Sequence, residues 1–209
     1  FSEGMDESTI NNTTFTLSGG ITGTVSYDPA TKTATLTPST NLAYGTTYTA
    51  TITTGTKDLA GNALAADYTW NFTTEAAPTY TLTVTKAGTG TGNVTVNTGS
   101  LNCAGNSCTG TYSLNTRLTV TATPDISSNF SGWSGGGCSS TGDCILTINA
   151  NTTVTATFDL KTYTVTSTAG PNGSISPSGS VVINYGAAKA FTITTDAGYR
   201  IADVLVDGA

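Results

Sequence analysis

Four cysteines, two tryptophans and thirteen carboxylates are the residues of this 209-residue chain whose types and spacing suggest chemistry. Four cysteines allow three disulfide pairings. Cys103 and Cys108 bracket Ala-Gly-Asn-Ser, and Cys138 and Cys144 bracket Ser-Ser-Thr-Gly-Asp, so each pair closes a small glycine-containing loop. The expected bridges are therefore Cys103–Cys108 and Cys138–Cys144. A four-thiolate zinc site is the rival reading, but these spacings and the absence of knuckle residues suit it poorly. A redox pair would need the tighter Cys-x-x-Cys. Disulfides imply an oxidising compartment, secreted or on a cell surface.

The chain contains no histidine, which removes histidine-based triads, acid–base pairs and metal sites from consideration. None of the acids lies in a recognisable catalytic context. The nearest pair, Asp203 and Asp207, sits in what reads as a strand and its turn. None of the lysines is placed for Ser–Lys catalysis. Asp58 and Asn62 could bring oxygens to a calcium ion. One carboxylate without a bidentate partner fits a turn with side-chain-to-backbone bonds better. Gly88-Thr-Gly90-Thr-Gly92 opens no helix and reads as a flexible turn rather than a phosphate loop. Trp70 lies between Tyr68 and Phe72 at period two, placing three rings on one face: core is the first reading, an exposed sugar-stacking platform the second. Trp133 precedes a glycine-rich loop and anchors it in one reading, or stacks on a ligand in the other. The chain is expected to have no catalytic residues, no metal, no cofactor and no enzymatic activity.

These side chains sit in a chain built to make strands. Threonine is several-fold over-represented, and it alternates. Thr81, Thr83 and Thr85 interleave with Tyr80, Leu82 and Val84. Thr119, Thr121 and Thr123 do so with Leu118, Val120 and Ala122, and Thr153, Thr155 and Thr157 with Val154, Ala156 and Phe158. Successive strand side chains point to opposite faces, so each segment has one apolar and one threonine face. The β-branch favours extended backbone while the hydroxyl stays solvated. A short helical turn capped by Asp6 is the one helix candidate. Asp28–Lys32 reads as the turn of a hairpin between 23–27 and 33–37, and Asp58–Asn62 separates strands at 46–54 and 67–74. The class is all-β: tandem small antiparallel sandwich and repeat modules in a rod-like array.

A connector, Glu75-Ala76-Ala77-Pro78, marks the first boundary, and after it the sequence repeats. Tyr80-Thr-Leu-Thr-Val-Thr returns as Tyr163-Thr-Val-Thr-Ser-Thr, and Leu118-Thr-Val-Thr-Ala-Thr as Phe191-Thr-Ile-Thr-Thr. The domains are 1–76, 79–160 and 161–209, with essentially no linker at Leu160-Lys161, which predicts a stiff array. Seven basic residues against thirteen acidic ones, a net charge of −6, argue against nucleic acid. No apolar run reaches the roughly 18 residues of a spanning helix, so no membrane insertion is expected.

Phe1-Ser-Glu-Gly-Met-Asp-Glu-Ser-Thr-Ile10, Gly23-Thr-Val-Ser-Tyr-Asp28, Leu42-Ala-Tyr-Gly-Thr-Thr-Tyr48 and Asp58-Leu-Ala-Gly-Asn62 resemble the bacterial Ig-like domain of S-layer and surface proteins. Residues 79–159 resemble the divergent internalin-B-type bacterial repeat through the cysteine pairs, Phe130-Ser-Gly-Trp133 and Val154-Thr-Ala-Thr-Phe158. Residues 162–209 resemble a cysteine-free member, through Gly173–Gly179, Tyr185-Gly186 and Gly198–Gly208. The resemblance implies a non-enzymatic stalk, S-layer-like or adhesin segment of a bacterial extracellular protein. Its partners would be neighbouring domains, adjacent subunits by strand pairing, or surface glycans. The Ig-like family has a strand region ahead of Phe1-Ser-Glu, and the last repeat shows no counterpart of 144–148 and 152–158. The expectation is a window on a longer repetitive protein. The alternatives are a filament subunit completed by a neighbouring chain's strands and a carbohydrate-binding accessory region of a secreted enzyme.

Overall fold

A computed structural model describes residues 1–207; Gly208, the end of the Gly198–Gly208 motif, lies outside the described residues. The chain divides into two compact units, Phe1–Pro78 and Thr79–Ala209.

In the first unit a 3-10 turn at Glu7–Thr9 starts where Asp6 caps it, its carboxylate accepting from the Ser8 N–H at 3.0 Å. Five strands follow: β1 Phe15–Leu17, β2 Gly23–Asp28, β3 Thr33–Pro38, β4 Thr47–Ile52 and β5 Tyr68–Thr73. β2 and β3 form the expected hairpin, each one residue longer at its C-terminal end, with Gly23 opposite Pro38 and Asp28 opposite Thr33. β1, β4 and β5 make an antiparallel three-stranded sheet in that order. Met5 and Ile10 bury against Tyr27 of the hairpin, and the Met5 N–H donates to the Tyr27 hydroxyl at 3.0 Å. Phe15, Tyr48 and Ala50 are buried on the sheet.

The second unit begins with β6 Thr79–Ala87, β7 Gly92–Val96, β8 Asn102–Ala104, β9 Ser107–Ser113, β10 Thr116–Pro124, β11 Ser128–Ser134, β12 Cys144–Ile148 and β13 Thr152–Leu160. They form a five-stranded sheet, β11-β13-β6-β9-β8, and a three-stranded sheet, β12-β10-β7. The apolar residues of the threonine-alternating strands face one core: Leu82, Val84, Leu118, Val120, Val154, Ala156 and Phe158 are all essentially inaccessible. At roughly 25 cal/mol per Å² of apolar surface removed from water, that face is what holds the two sheets together. One pairing departs from the antiparallel expectation: β13 runs parallel to β6, from Thr152 opposite Leu82 to Thr157 opposite Ala87. The sheet is mixed because the repeat's last strand returns beside its first after a long excursion through the other sheet.

After Lys161 the pattern starts again with β14 Thr162–Ser167, β15 Gly173–Ser176, β16 Gly179–Asn184 and β17 Thr192–Thr195. β14 pairs with β16 as β6 does with β9, and β15 with β17 as β7 does with β10. Corresponding turns repeat as well. Asp125 N–H donates to the Thr91 carbonyl and Asp196 N–H to the Asn172 carbonyl, both at 3.0 Å. Residues 201–205, expected as a strand carrying Asp203, have no regular structure. The reason is non-local: their counterpart β11 pairs only with β13, and among the described residues the second repeat has no strand in that place.

Candidate functional site

The cysteine loops and Trp133 converge on the first repeat. β8 and β9 form a tight hairpin that sets Cys103 opposite Cys108, and these are joined. Cys138 is joined to Cys144 across the connection from β11 to β12. Cys108 and Cys144 are buried within the core, so each bridge ties a surface loop to the interior. Trp133 lies on β11 just after a bulge between Phe130 and Gly132. Its indole Nε1–H donates to the Gly142 carbonyl and its backbone N–H to the Ser140 carbonyl, each at 2.9 Å. Its ring meets Phe130 edge-on at 5.3 Å, and Phe130 in turn touches Phe158 at 5.4 Å. Only 4% of Trp133 is exposed. The ligand-stacking role considered for Trp133 has no geometric basis, because both ring faces are buried and the N–H is spent on the loop.

The glycine run 88–92 is close-packed rather than a flexible turn. Gly88 has φ +95°, and a Cβ there would meet the Phe158 carbonyl carbon at 2.8 Å. Gly92 has ordinary backbone, but a Cβ there would lie 2.6 Å and 2.7 Å from Cδ1 and Cζ of the Phe158 ring. These glycines are present because β13 passes against them. Ser128, fully buried, donates structure to the same corner: its Oγ accepts from the Thr91 N–H at 2.9 Å.

Asp58 is consumed by its own turn. Oδ1 accepts from the Ala60 and Asn62 N–H groups at 2.8 Å, and Oδ2 from the Asn62 side-chain amide at 2.8 Å. The Asn62 side chain foremost, then its backbone N–H, holds the carboxyl below its ordinary 3.8. Asp28 is held low in the same way, first by the Thr31 hydroxyl and then by the Ala30 N–H. Asp203 accepts from the Val204 N–H at 2.7 Å within the irregular segment, and Asp207 has φ +54°. Among the described residues no group of three or more His, Cys, Asp or Glu is gathered, and no helix is long and apolar enough to cross a membrane.

On β5 the reading of the three rings as core is corrected. Tyr68, Trp70 and Phe72 share the face of Tyr48 and Ala50 across the ladder, but they are substantially exposed, Trp70 by 38%. β5 is the outermost strand of its sheet and, among the described residues, pairs only with β4. The rings pack sideways instead, Trp70 on Phe15 and Phe72 on Tyr48, both at 5.9 Å.

Lys161, the one residue between β13 and β14, is a joint that the sequence signalled only by its missing linker. Its N–H donates to the Ser127 carbonyl at 2.9 Å and its Nζ to the Ile126 carbonyl at 2.8 Å, while its own carbonyl accepts from the Tyr185 N–H at 2.8 Å. One residue thus bonds to both repeats.

Comparison with family models matches residues 1–74 to a bacterial Ig-like domain and residues 80–162 and 163–203, more than half of the chain, to the divergent InlB B-repeat domain. No curated protein and no solved structure matches the chain.

Proposed function

Because the chain belongs to the divergent InlB B-repeat family, with a bacterial Ig-like domain ahead of its repeats, we propose that it is a non-enzymatic spacer segment of a bacterial extracellular protein. Both domain types typically occur in extracellular and surface proteins and are typically non-catalytic. The observation that carries the reading is the Lys161 joint. A single-residue connection held by three hydrogen bonds to both repeats limits hinge motion where a flexible linker would permit it. The two bridges brace the neighbouring repeat, and the threonine faces keep it solvated without a dense cover of charge. A stalk or surface-layer-like role follows from stiffness plus solubility; an adhesive role would need a recognition surface as well.

Small-angle scattering from the full chain tests the spacer. Inserting four Gly-Ser residues between Leu160 and Lys161 is expected to broaden the distance distribution. An unchanged distribution would show that the joint was already loose.

The exposed row of Tyr68, Trp70 and Phe72 favours a second reading, contact with surface glycans, since rings in line on a strand can stack on successive sugars. A glycan array with the parent chain and Trp70→Ala tests it: no binding, or binding indifferent to the change, removes it.

A further inference from the structure

Asn172 and Gly173 form the only asparagine–glycine step in the chain, and the fold leaves it open. Asn172 ends the turn before β15, exposed and at φ +66°. Its backbone carbonyl accepts from the Asp196 N–H at 3.0 Å. Hydrogen-bonded and non-hydrogen-bonded pairs alternate along an antiparallel ladder, so the next pair, Gly173 opposite Thr195, is a non-hydrogen-bonded one. The Gly173 N–H therefore points away from β17, and β15 pairs with no other strand among the described residues. The same edge is open in the first repeat, where β7 pairs only with β10. The side-chain amide of Asn172 makes no hydrogen bond among the described residues. Those of Asn62, Asn71, Asn97 and Asn151 are held, by Asp58, Thr49, Thr119 and Thr81. Glycine is needed at 173 because a Cβ there would lie 2.9 Å from the Thr194 carbonyl oxygen. In the corresponding turn of the first repeat the step is Thr91–Gly92, which keeps the glycine but carries no amide.

We propose that Asn172 is a site of spontaneous covalent conversion to aspartyl and isoaspartyl forms, with the Gly173 nitrogen as nucleophile and water as co-reactant. The Gly173 nitrogen attacks Asn172 Cγ and gives up its proton to solvent. The N–Cγ bond forms, the Cγ–Nδ2 bond breaks, and the amide nitrogen leaves as ammonia, closing a five-membered imide. Water then opens the imide. Addition at Cγ restores the original backbone with an aspartate; addition at the α-carbonyl carbon leaves the backbone running through Cβ and Cγ, an isoaspartate. The sum is amide plus water giving carboxylate plus ammonium, with no change of oxidation state. The packing demand of β17 thus places beside an unoccupied amide the one residue whose nitrogen no side chain shields. Conversion acts on the ladder that begins there. In the isoaspartyl form the carbonyl that received the Asp196 N–H becomes a free carboxylate, and the chain ahead of Gly173 is one methylene longer. The β15–β17 pair loses its first tie and gains a negative charge at its end. The inference goes beyond the spacer reading and does not depend on it, since the reaction needs only this turn and water.

The test incubates the folded full chain in mildly alkaline buffer made with heavy-oxygen water, then digests it under mildly acidic conditions. Mass spectrometry with electron-transfer fragmentation locates the label and tells aspartate from isoaspartate. Asn115 is the matched control: it is exposed and also has φ +66°, but Thr116 follows it. Asn172 is expected to take up heavy oxygen at least about tenfold faster than Asn115, and to give both products. Hydrogen exchange is expected to show lost protection of the Asp196 N–H in the isoaspartyl chain. Asn172→Thr, which copies Thr91, is expected to keep the circular dichroism of the parent and to leave residues 162–189 unlabelled. An intact Asn172 in chains where Asn115 has converted overturns the inference. So does conversion seen only after unfolding in urea, or a purely aspartyl product, which would mean hydrolysis by water without attack from Gly173.

Discussion

Replacing Gly92 by alanine separates a close-packed turn from a flexible one, because the two make predictions of opposite sign. In a flexible turn with ordinary backbone, alanine restricts the unfolded chain and stabilises by about 0.4–1 kcal/mol. In this fold the new Cβ would lie 2.6 Å from Cδ1 and 2.7 Å from Cζ of Phe158, against the ~3.5–4.0 Å at which carbon contacts are favourable. The ring must withdraw by about 1 Å. It has nowhere to go: Phe158 is 1% exposed, abuts Phe130, and lies on a strand held on both sides by β6 and β11. Overpacking of that kind costs about 1–3 kcal/mol, leaving a net loss of about 1–2 kcal/mol after the unfolded-state gain. With a urea slope of about 1 kcal/mol per M for a repeat this size, the midpoint falls by about 1–2 M. The assay is urea unfolding followed by fluorescence in a Trp70→Phe background, where Trp133 is the only indole. Gly142→Ala, with the nearest foreign atom 3.9 Å from its Cβ, serves as control and is expected to raise the midpoint slightly. A Gly92→Ala midpoint at or above the parent's would refute the packing argument.

Trp133→Phe removes the indole donor to Gly142 and some core volume, and should cost about 1–3 kcal/mol in thermal or urea unfolding followed by circular dichroism; an unchanged midpoint would mean that the loop is held by other contacts. Replacing either cysteine pair by alanines should cost about 2 kcal/mol in urea unfolding, and the two losses should add, because the loops close on different strands; a double-replacement loss that departs from the sum would indicate that the bridges are coupled. The lowered Asp58 carboxyl contributes stability that is present above its unfolded value of 3.8 and is lost as pH falls through the lower folded value. Asn62→Ala should move the Asp58 titration, read by carbon-detected NMR, up toward 3.8, and a stationary titration would contradict the hydrogen-bond assignment.

The strands were legible because side-chain alternation is local. Leu118, Val120, Val154, Ala156 and Phe158 could be assigned to a buried face from period two alone, and the Asp28 turn from its residue types. What the sequence did not carry was anything decided between distant segments. The aromatic row on β5 announces an apolar face, but whether another strand covers that face is not written in Tyr-Thr-Trp-Asn-Phe-Thr. Glycine at 88 and 92 looks the same whether it serves backbone freedom or the passage of Phe158. The 201–205 segment has strand composition and no strand, since no strand among the described residues stands beside it as β13 stands beside β11. The parallel β6–β13 pair joins residues about seventy positions apart, beyond the reach of any turn signal.

That parallel pair decides how a load would travel through the first repeat. Tension enters at the start of β6 and leaves at the end of β13, so the two strands are pulled in opposite directions along their common axis. The ladder from Thr152–Leu82 to Thr157–Ala87 is then strained all at once, six residue pairs in shear, instead of opening one rung at a time as a hairpin does when its two ends are drawn apart. A tether made of such units yields late and abruptly, a mechanical clamp written into strand direction.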